Sequence, residues 1–468
     1  MKPRSLILLL LCLVTFPARG DELVNKPNVL LILVDDLGKM DLGVDGSTFH
    51  ETPRIDALAK SGVRFTDFYA AHPVCSPTRA ALMTGKVPQR VGITDWIRPA
   101  GEIALPAGEV TLGQAFQEAG YQTAYLGKWH LGHQASQHPS ARGFDWTKAV
   151  NGAGQPASYD FPYRNLKKPG PADVPDLAGG QPVDYLTDAL TTEAIRCLKQ
   201  RITKEPFFLC LSHYAVHTPI QPPRDLLQKY QMKVAGLAPE EAAKTLSAPF
   251  GAISRGTQSH PGYAAMVENL DTNVGRLLDG LQELGLTERT IVVFTSDNGG
   301  LCTLGGKSAG PTSNRPYRAG KGWTYEGGIR IPTYIAWPGT LTPGMCTIPA
   351  TTCDLYPTLL DLCGLPSRPF QHLDGQSLKP AMGGASGEIF ANRTLTWYYP
   401  HAHGSGHQPS AALRKGKWKL ICYLEQVRTE LYNLELDPGE NQNLSSQEPQ
   451  LAAKLEQELR EVIKATTK

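Results

Sequence analysis

Residues 28–36 read Asn-Val-Leu-Leu-Ile-Leu-Val-Asp-Asp, an unbroken apolar run that ends on two carboxylates. Such a run is typical of a strand that is buried on both faces. Similar runs recur at residues 122–126, 206–211 and 290–295, and amphipathic helical patterns lie at residues 111–119, 185–201 and 263–284. Buried strands that alternate with helices predict an α/β fold, in which helices flank a large mixed, mostly parallel central sheet.

The pattern changes after about residue 364. Short antiparallel strands are predicted at residues 395–399, 411–423 and 426–433, and a final helix at residues 449–464. We therefore expect a large domain of residues 26–364 and a smaller C-terminal α+β domain of residues 365–468, built on an antiparallel sheet. Two Gly- and Pro-rich stretches, residues 151–184 and 231–262, are too long for simple connections, and we expect them to shape a binding mouth.

Residues 1–20 have the layout of a secretory signal peptide. Lys2 and Arg4 precede an apolar run at residues 6–14, and small residues follow it. The run is too short to span a bilayer, and a buried strand or helix is the alternative interpretation. Cleavage would remove Lys2, Arg4 and Arg19 but no acid, so the formal net charge would fall from +2 to −1. A nearly neutral chain has no global field for polyanions, which argues against a nucleic-acid partner.

Oxygen-bearing side chains directly follow two of the predicted strands. Asp35 and Asp36 follow the first strand, and Asp297 and Asn298 follow the run at residues 290–295. In sheets of this class, ligands bind beyond the carboxyl ends of the strands, so these side chains are expected to lie together. Carboxylate and amide oxygens suit a hard cation such as Ca²⁺ or Mg²⁺. The alternative is that they are turn residues, since Asp-Asn-Gly-Gly is common in turns.

The segment Cys75-Ser76-Pro77-Thr78-Arg79 predicts the start of a helix. Ser76 is a typical N-cap and Pro77 a typical first helical residue, which leaves Cys75 just outside the helix, at its positive end. Arg79 lies in the first turn and can point back toward Cys75. Taken alone, a cysteine in this position is more often a structural thiol than a functional one.

These motifs together resemble those of the type I sulfatases, which use formylglycine and belong to the alkaline-phosphatase-like superfamily. Cys-x-Pro-x-Arg at residues 75–79, followed by an Ala- and Leu-rich helix and Thr-Gly, is similar to the formylglycine motif of that family. Companion motifs follow in the family's order: Gly-Lys-Trp-His-Leu-Gly at residues 127–132, His-Thr-Pro at 217–219, and Lys321 with Glu-Gly-Gly-x-Arg-x-Pro at 326–332. The similarity extends from about residue 26 to residue 438, and it is to secreted enzymes of the arylsulfatase A and N-acetylgalactosamine-6-sulfatase type.

The resemblance implies a role for each of these residues. In the family, a maturation enzyme oxidises the cysteine to formylglycine (3-oxoalanine), and the aldehyde hydrate attacks a sulfate ester. Five residues would hold one Ca²⁺ by resemblance: Asp35, Asp36, Cys75 in its modified form, Asp297 and Asn298. Arg79 would hold the aldehyde hydrate, and His130 would be the base that releases sulfate. Three further residues would bind sulfate or protonate the leaving oxygen: Lys128, His217 and Lys321.

The resemblance therefore predicts a sulfuric ester hydrolase that removes sulfate from a sulfated carbohydrate. The expected substrate is a galactose or N-acetylgalactosamine sulfate at a chain end, so that the action is exo. The expected partners are this substrate and the formylglycine-generating maturation enzyme. The enzyme would be secreted or periplasmic, or lysosomal if the source is an animal. The alternatives are a phosphate or phosphonate monoester hydrolase of the same superfamily and a non-catalytic carbohydrate-binding homologue.

Three further features have two interpretations each. We expect His213, four residues before His217, to be structural. His401, His403 and His407 lie in a Gly- and Ser-rich stretch that is expected to be a solvated loop, with substrate recognition as the alternative. Asp95 and Trp96 follow the Cys75 helix, and Trp96 is either a sugar-stacking platform or a core anchor.

Overall fold

The computed structural model describes residues 26–99, 101–177, 180–181, 184–201, 205–306, 308–383, 390 and 392–467. The predicted signal peptide at residues 1–20 lies outside these residues. The helices longer than one 3₁₀ turn are α1 (Pro53–Ser61), α2 (Cys75–Thr84), α3 (Pro88–Val91), α4 (Leu112–Glu118), α5 (Leu186–Arg201), α6 (Arg224–Ala235), α7 (Pro239–Ala242), α8 (Pro261–Glu283), α9 (Glu326–Ile329), α10 (Leu355–Leu362), α11 (Lys379–Met382) and α12 (Pro449–Thr466).

The strands belong to one large sheet and three small ones. They are β1 (Asn28–Val34), β2 (Val63–Phe65), β3 (Phe68–Tyr69), β4 (Gln122–Gly127), β5 (Trp146–Lys148), β6 (Phe207–Ser212), β7 (Thr245–Ser247), β8 (Ile253–Arg255), β9 (Thr290–Ser296), β10 (Thr303–Leu304), β11 (Thr333–Ala336), β12 (Gly344–Cys346), β13 (Ala350–Thr351), β14 (Thr394–Tyr399), β15 (Ser410–Lys415), β16 (Trp418–Tyr423) and β17 (Arg428–Asn433).

The large sheet has the strand order β12-β2-β11-β9-β1-β6-β4-β5. β1 lies between β9 and β6 and is parallel to both, and β4 is parallel to β6 and β5. Only β11 runs antiparallel to its neighbours, β9 and β2, within the described sheet. The predicted mixed, mostly parallel α/β sheet is therefore confirmed.

Both faces of the sheet are covered, which explains the unbroken apolar run of β1. Val29, Leu31 and Leu33 belong to a core with α2, α4 and α10. The alternate side chains of β1 point to the opposite core, which contains α1, α5 and α8. Burying each such side chain contributes roughly 1.5–3 kcal/mol, so β1 and its neighbours form a rigid base for the residues at their ends.

The C-terminal sheet is an antiparallel meander of β14, β15, β16 and β17, as predicted. The stretch at residues 411–423 is two strands, because the chain turns at Gly416, whose φ is +55°. One face of the sheet packs against α12, and the other packs against Tyr69, Trp323 and Tyr325 of the large domain. The division of the chain at residue 364 stays a prediction.

The stretch at residues 231–262 is more ordered than its composition predicts. It contains the end of α6, all of α7, and strands β7 and β8, which form a small sheet with β10. These elements are three to four residues long apart from α6, and such short elements leave no clear periodic pattern in a sequence.

Candidate active site

Four adjacent parallel strands end at the same edge of the large sheet, and each delivers predicted site residues there. Because β9, β1, β6 and β4 run in one direction, the residues after their ends meet above the sheet. They are Asp297 and Asn298 after β9, Asp35 and Asp36 after β1, His213 and His217 after β6, and Lys128 and His130 after β4. The structure thus brings together residues that are up to 263 positions apart in the chain.

Asp36 is bonded by groups from three separate segments. Its Oδ1 accepts a hydrogen bond from Asn298 Nδ2 at 2.8 Å, and its Oδ2 accepts one from Lys321 Nζ at 2.8 Å. His217 Nε2 lies 3.6 Å from the same Oδ2. The Asp36 backbone N–H donates to Asp297 Oδ1 at 3.2 Å. Lys321 does not follow any of the predicted strands. It lies in the loop before α9, and its side chain extends to Asp36.

Asp35 and Asp297 are paired with the other two cations. Lys128 Nζ donates to both oxygens of Asp35 at 2.8 Å. Arg79 donates from Nε to Asp297 Oδ2 at 2.9 Å, and its Nη1 donates to the Lys128 carbonyl and to Ser212 Oγ, both at 2.7 Å. We call Asp35, Asp36, Asp297, Arg79, Lys128 and Lys321 the strand-end cluster. It has three carboxylates and three cations, so its formal charges balance.

Cys75 lies in the first turn of α2, not outside it as predicted. The N-cap is Val74, and Ser76 does not cap the helix because its Oγ accepts a hydrogen bond from the Ile97 backbone N–H at 3.0 Å. The Cys75 thiol is free and buried, and Sγ lies 3.2 Å from His130 Nδ1. The sequence does not reveal that Ser76 is not the N-cap, because Ile97 and Ser76 come into contact only in the tertiary structure.

The hydrogen bonds of His130 fix the roles of its two ring nitrogens. Nε2 lies 2.8 Å from the Ile97 carbonyl, which can only accept, so Nε2 carries the proton. Nδ1 is therefore an acceptor, and it faces Cys75. Gly154 packs against this ring, and a Cβ at Gly154 would lie 2.2 Å from His130 Cε1. The sequence analysis missed Gly154 and Ser212, which position His130 and Arg79.

Burial and the paired charges set the ionisation of the cluster. Burial raises the pKa of Asp35 well above its usual value. Burial acts in the same direction on Asp36 and Asp297, but the neighbouring positive charges together outweigh it, so that the pKa of each is lowered. Lys321 contributes most to this lowering for Asp36, and Arg79 for Asp297. Burial also lowers the pKa of His217 to about 3, with Lys321 as the next cause, and places the pKa of His130 well below its usual value.

Burial raises the pKa of the Cys75 thiol, so the unmodified thiol is a poor nucleophile.

The residues at the strand ends fit a bound cation. Ligand atoms of Asp35, Asp36 and His217 lie within 4.8 Å of one another. Asn298 Oδ1 is buried and has no hydrogen-bond donor. An orphaned buried acceptor beside carboxylates matches the oxygen donor set that Ca²⁺ prefers.

The cluster opens into a cavity of about 660 Å³. Four of the predicted residues line it, namely Cys75, His130, His217 and Lys321. The rest of its wall comes from Val74 and from residues 95–96, 98–99, 153–155, 171–172 and 402–404. The stretch at residues 151–184 thus shapes the binding mouth as predicted, but the stretch at residues 231–262 does not line this cavity, so that part of the prediction is wrong.

The structure also separates the interpretations of the remaining aromatic and histidine residues. Trp96 is 37% exposed and lines the cavity, so it is not a core anchor. His403 also lines the cavity, and His407 is buried and stacks on Tyr399, so the prediction of a solvated loop is wrong for both. His213 is buried and lines no part of this cavity, in agreement with a structural role.

Residues 27–365 match the sulfatase family, and residues 319–466 match the C-terminal region of N-sulphoglucosamine sulphohydrolase. This chain belongs to the sulfatase family. It is a sulfuric ester hydrolase, and the family match covers most of the large domain and the whole strand-end cluster.

Individual relatives of this sulfatase extend the match to the C-terminal sheet. It is 34% identical to the N-acetylgalactosamine-6-sulfatase of Canis lupus familiaris over 80% of this chain and 69% of that protein. It is 33% identical to human arylsulfatase A over 94% of this chain and 86% of that protein. The crystal structure of Ps i-CgsB in complex with k-i-k-neocarrahexaose superimposes with a TM-score of 0.77 at 32% identity, covering 94% of this chain and 93% of that one.

Among the residues that the structure describes, none of the helices is both long enough and apolar enough to cross a membrane.

Proposed function

We propose that this sulfatase hydrolyses a sulfate ester on a galactose or N-acetylgalactosamine unit, using the hydrate of a formylglycine formed from Cys75. The observation that carries the proposal is the convergence of Cys75, His130, His217 and Lys321 on one cavity, above carboxylates that fit a cation. A pure binding protein needs neither a nucleophile precursor nor a base beside it, which disfavours the non-catalytic alternative.

The proposed metal site consists of Asp35, Asp36, Asp297, Asn298 and the modified residue 75. A Ca²⁺ ion in this site would polarise a sulfate oxygen and favour ionisation of the attacking hydroxyl. Arg79 holds Asp297 in place, because its guanidinium is anchored to Ser212 and to the Lys128 carbonyl. We propose that Arg79 also contacts the hydrate, since α2 carries both residues one turn apart.

In the proposed reaction, one hydroxyl of the hydrate loses its proton to solvent and attacks the sulfate sulfur. The bond from sulfur to the sugar oxygen breaks, and that oxygen receives a proton from a group among Lys128, His217 and Lys321. His130 Nδ1 then accepts the proton of the second hydroxyl, the aldehyde C=O forms again, and sulfate leaves with the oxygen that attacked. Water rehydrates the aldehyde. The short separation of Cys75 Sγ and His130 Nδ1, 3.2 Å, and the fixed tautomer of His130 support this role.

The sugar assignment rests on the cavity wall and on the relatives. Trp96 offers an exposed indole on which a sugar ring can stack, and Asp95, which Tyr399 holds by a hydrogen bond at 3.2 Å, offers a carboxylate for hydroxyl groups. One relative is named as an N-acetylgalactosamine-6-sulfatase. A structural neighbour was solved in complex with a neocarrahexaose, which is also a carbohydrate. We also propose exo action, export by residues 1–20, and maturation by a formylglycine-generating enzyme.

The test uses protein co-produced with a formylglycine-generating enzyme. We expect 4-nitrophenyl sulfate to be hydrolysed far faster than 4-nitrophenyl phosphate, because the chain belongs to the sulfatase family. Chelation should remove the activity and Ca²⁺ should restore it. A panel of galactose and N-acetylgalactosamine sulfates then defines the sugar. Faster turnover of the phosphate ester would instead support the phosphate hydrolase alternative.

A further inference from the structure

A second cavity adjoins the first, and it contains none of the proposed catalytic residues. It has a volume of about 540 Å³. Gln155, Pro171 and Ala172 line both cavities, so they form a common ridge between them. Thr218 on the wall of the second cavity directly follows His217 of the first. Each cavity alone falls in the range of small-molecule sites, roughly 300–1,000 Å³. The pair therefore offers more room than a single sulfated sugar needs.

The wall of the second cavity is rigid and carries both polar and apolar groups. Four of its lining residues are prolines, whose fixed φ angles limit loop movement. The carboxylate of Asp173 is used by the loop itself, since it accepts hydrogen bonds from the backbone N–H groups of Asn165 at 2.8 Å and Gly170 at 3.1 Å. A stiff surface with apolar patches and exposed amide groups is suited to a sugar ring, which has apolar C–H faces and hydroxyl edges.

Lys168 is the single cation and Asp173 the single carboxylate among the residues that line this wall, and the two do not form an ion pair, because Asp173 bonds backbone N–H groups instead. The side chain of Lys168 is exposed, and in the described part of the chain no carboxylate lies within ion-pairing distance of its ammonium group. All three cations of the strand-end cluster, in contrast, are paired with carboxylates. An unpaired ammonium group beside an open cavity favours an anionic ligand.

We propose that the second cavity is a subsite for the sugar unit next to the one that loses sulfate, and that Lys168 binds an anionic group on that unit. The inference rests on the proposed function, and it narrows the substrate to an oligosaccharide with sulfate or carboxylate groups on adjacent units. A terminal sugar in the first cavity remains compatible with exo action, because the rest of the chain passes over the ridge of Gln155, Pro171 and Ala172.

The test compares Lys168→Ala with Lys167→Ala. Lys167 is a matched control, because it is exposed at the same loop tip, its backbone N–H bonds the same Asn165 Oδ1 at 3.1 Å, and it does not line the cavity. The probes are 4-nitrophenyl sulfate, a galactose disaccharide sulfated on the terminal unit only, and the same disaccharide sulfated on both units. Steady-state kinetics are measured at low and high NaCl concentration with formylglycine-containing enzyme.

We expect Lys168→Ala to raise KM for the disulfated disaccharide roughly three- to tenfold at low salt, as befits an exposed ion pair, without changing kcat. High salt should remove the difference. The other two probes should be unaffected, and Lys167→Ala should match the wild type on all three. Equal effects of the two substitutions, or no effect of Lys168→Ala on the disulfated probe, would overturn the subsite. An equal loss on all three probes would show a structural role instead.

A binding measurement separates this inference from the proposed function. Calorimetric titration of the disulfated disaccharide into Cys75→Ser protein, with and without Lys168→Ala, detects the subsite without turnover. If the wild type hydrolyses none of the probes but Lys168→Ala still weakens binding severalfold, the proposed function fails and the subsite stands. If binding is identical in both proteins, the subsite is wrong whatever the turnover.

Discussion

Two buried clusters of charge in this sulfatase differ in what surrounds them. The strand-end cluster lies beside a cavity, and its formal charges balance. The second, which we call the interface cluster, consists of Lys419, Glu326 and Glu440 where the C-terminal sheet meets the large domain. Lys419 Nζ lies 2.9 Å from Glu326 Oε1 and 2.7 Å from Glu440 Oε1, and all three side chains are 0% exposed. Its three members are one cation and two carboxylates, so the formal charges of the interface cluster do not balance.

The comparison shows that burial and a perturbed pKa do not by themselves identify a catalytic site. Burial raises the pKa of Glu440 to about 7, and Lys419 lowers the pKa of Glu326 against the effect of burial. Burial and neighbouring charges therefore shift pKa values in both clusters. What distinguishes the strand-end cluster is access to a cavity that is also lined by Cys75, the proposed nucleophile precursor. The interface cluster instead joins two parts of the fold.

Substitution of Cys75 is expected to have the largest effect. Cys75→Ser cannot form the aldehyde, so we expect kcat/KM for 4-nitrophenyl sulfate to fall by roughly a thousandfold or more, with little change in thermal stability. Cys346→Ser is the control, because Cys346 is buried at the edge strand β12, away from the strand-end cluster. Substantial desulfation by a homogeneous Cys75→Ser protein would contradict the proposed nucleophile.

Removing one lysine from each cluster tests the comparison directly. Lys419→Met leaves the enclosed Glu440 without its cation and removes one of the two cations paired with Glu326, which keeps Arg330. We therefore expect a loss of about 3–5 kcal/mol in the free energy of unfolding, with near-normal kcat in the folded protein. Lys321→Met should lower kcat/KM by roughly 10²–10³-fold and cost less stability, because the site is open to the cavity. Denaturant unfolding and kinetics on both variants measure this. If Lys419→Met abolished turnover in folded protein, the two clusters would not be functionally distinct.

The pH dependence of stability should separate the clusters further, with a smaller effect. Glu440 has a folded pKa of about 7, above its usual 4.5, so the folded state binds more protons than the unfolded state between these values. Stability should therefore fall as pH rises from about 4.5 to 7, on the order of 1–3 kcal/mol. Glu440→Gln should flatten this part of the curve, as followed by denaturant unfolding at several pH values. Parallel curves for the variant and the wild type would show that Glu440 does not retain its proton.

The central sheet and much of the strand-end cluster could be predicted from the sequence, for a physical reason. Strands buried on both faces must be apolar throughout, so β1, β4, β6 and β9 were each predicted to within about two residues of their ends. Parallel strands end at one edge, so residues after their ends had to meet. The role of Cys75 came from the resemblance, since local chemistry favours a structural thiol.

The rest depended on contacts that leave no local pattern. The interface cluster joins Glu326 to Lys419 and Glu440, which lie 93 and 114 positions further along the chain, and each of its members alone resembles an ordinary surface charge. Ser76 has the sequence features of an N-cap, but its hydroxyl is used by Ile97 instead. The sequence predicts His407 in solvent, but its ring is buried against Tyr399 of the C-terminal sheet and Trp323, which are far from it in the chain or leave no local pattern.

Mass spectrometry of the peptide that contains Cys75 tests the central claim most directly. The protein is produced with and without a formylglycine-generating enzyme, and the fraction of aldehyde at residue 75 is compared with kcat for an aryl sulfate in the presence of Ca²⁺. We predict that kcat rises in proportion to the aldehyde fraction and extrapolates to zero for the pure thiol. Full activity in a preparation whose residue 75 is entirely thiol would contradict the account.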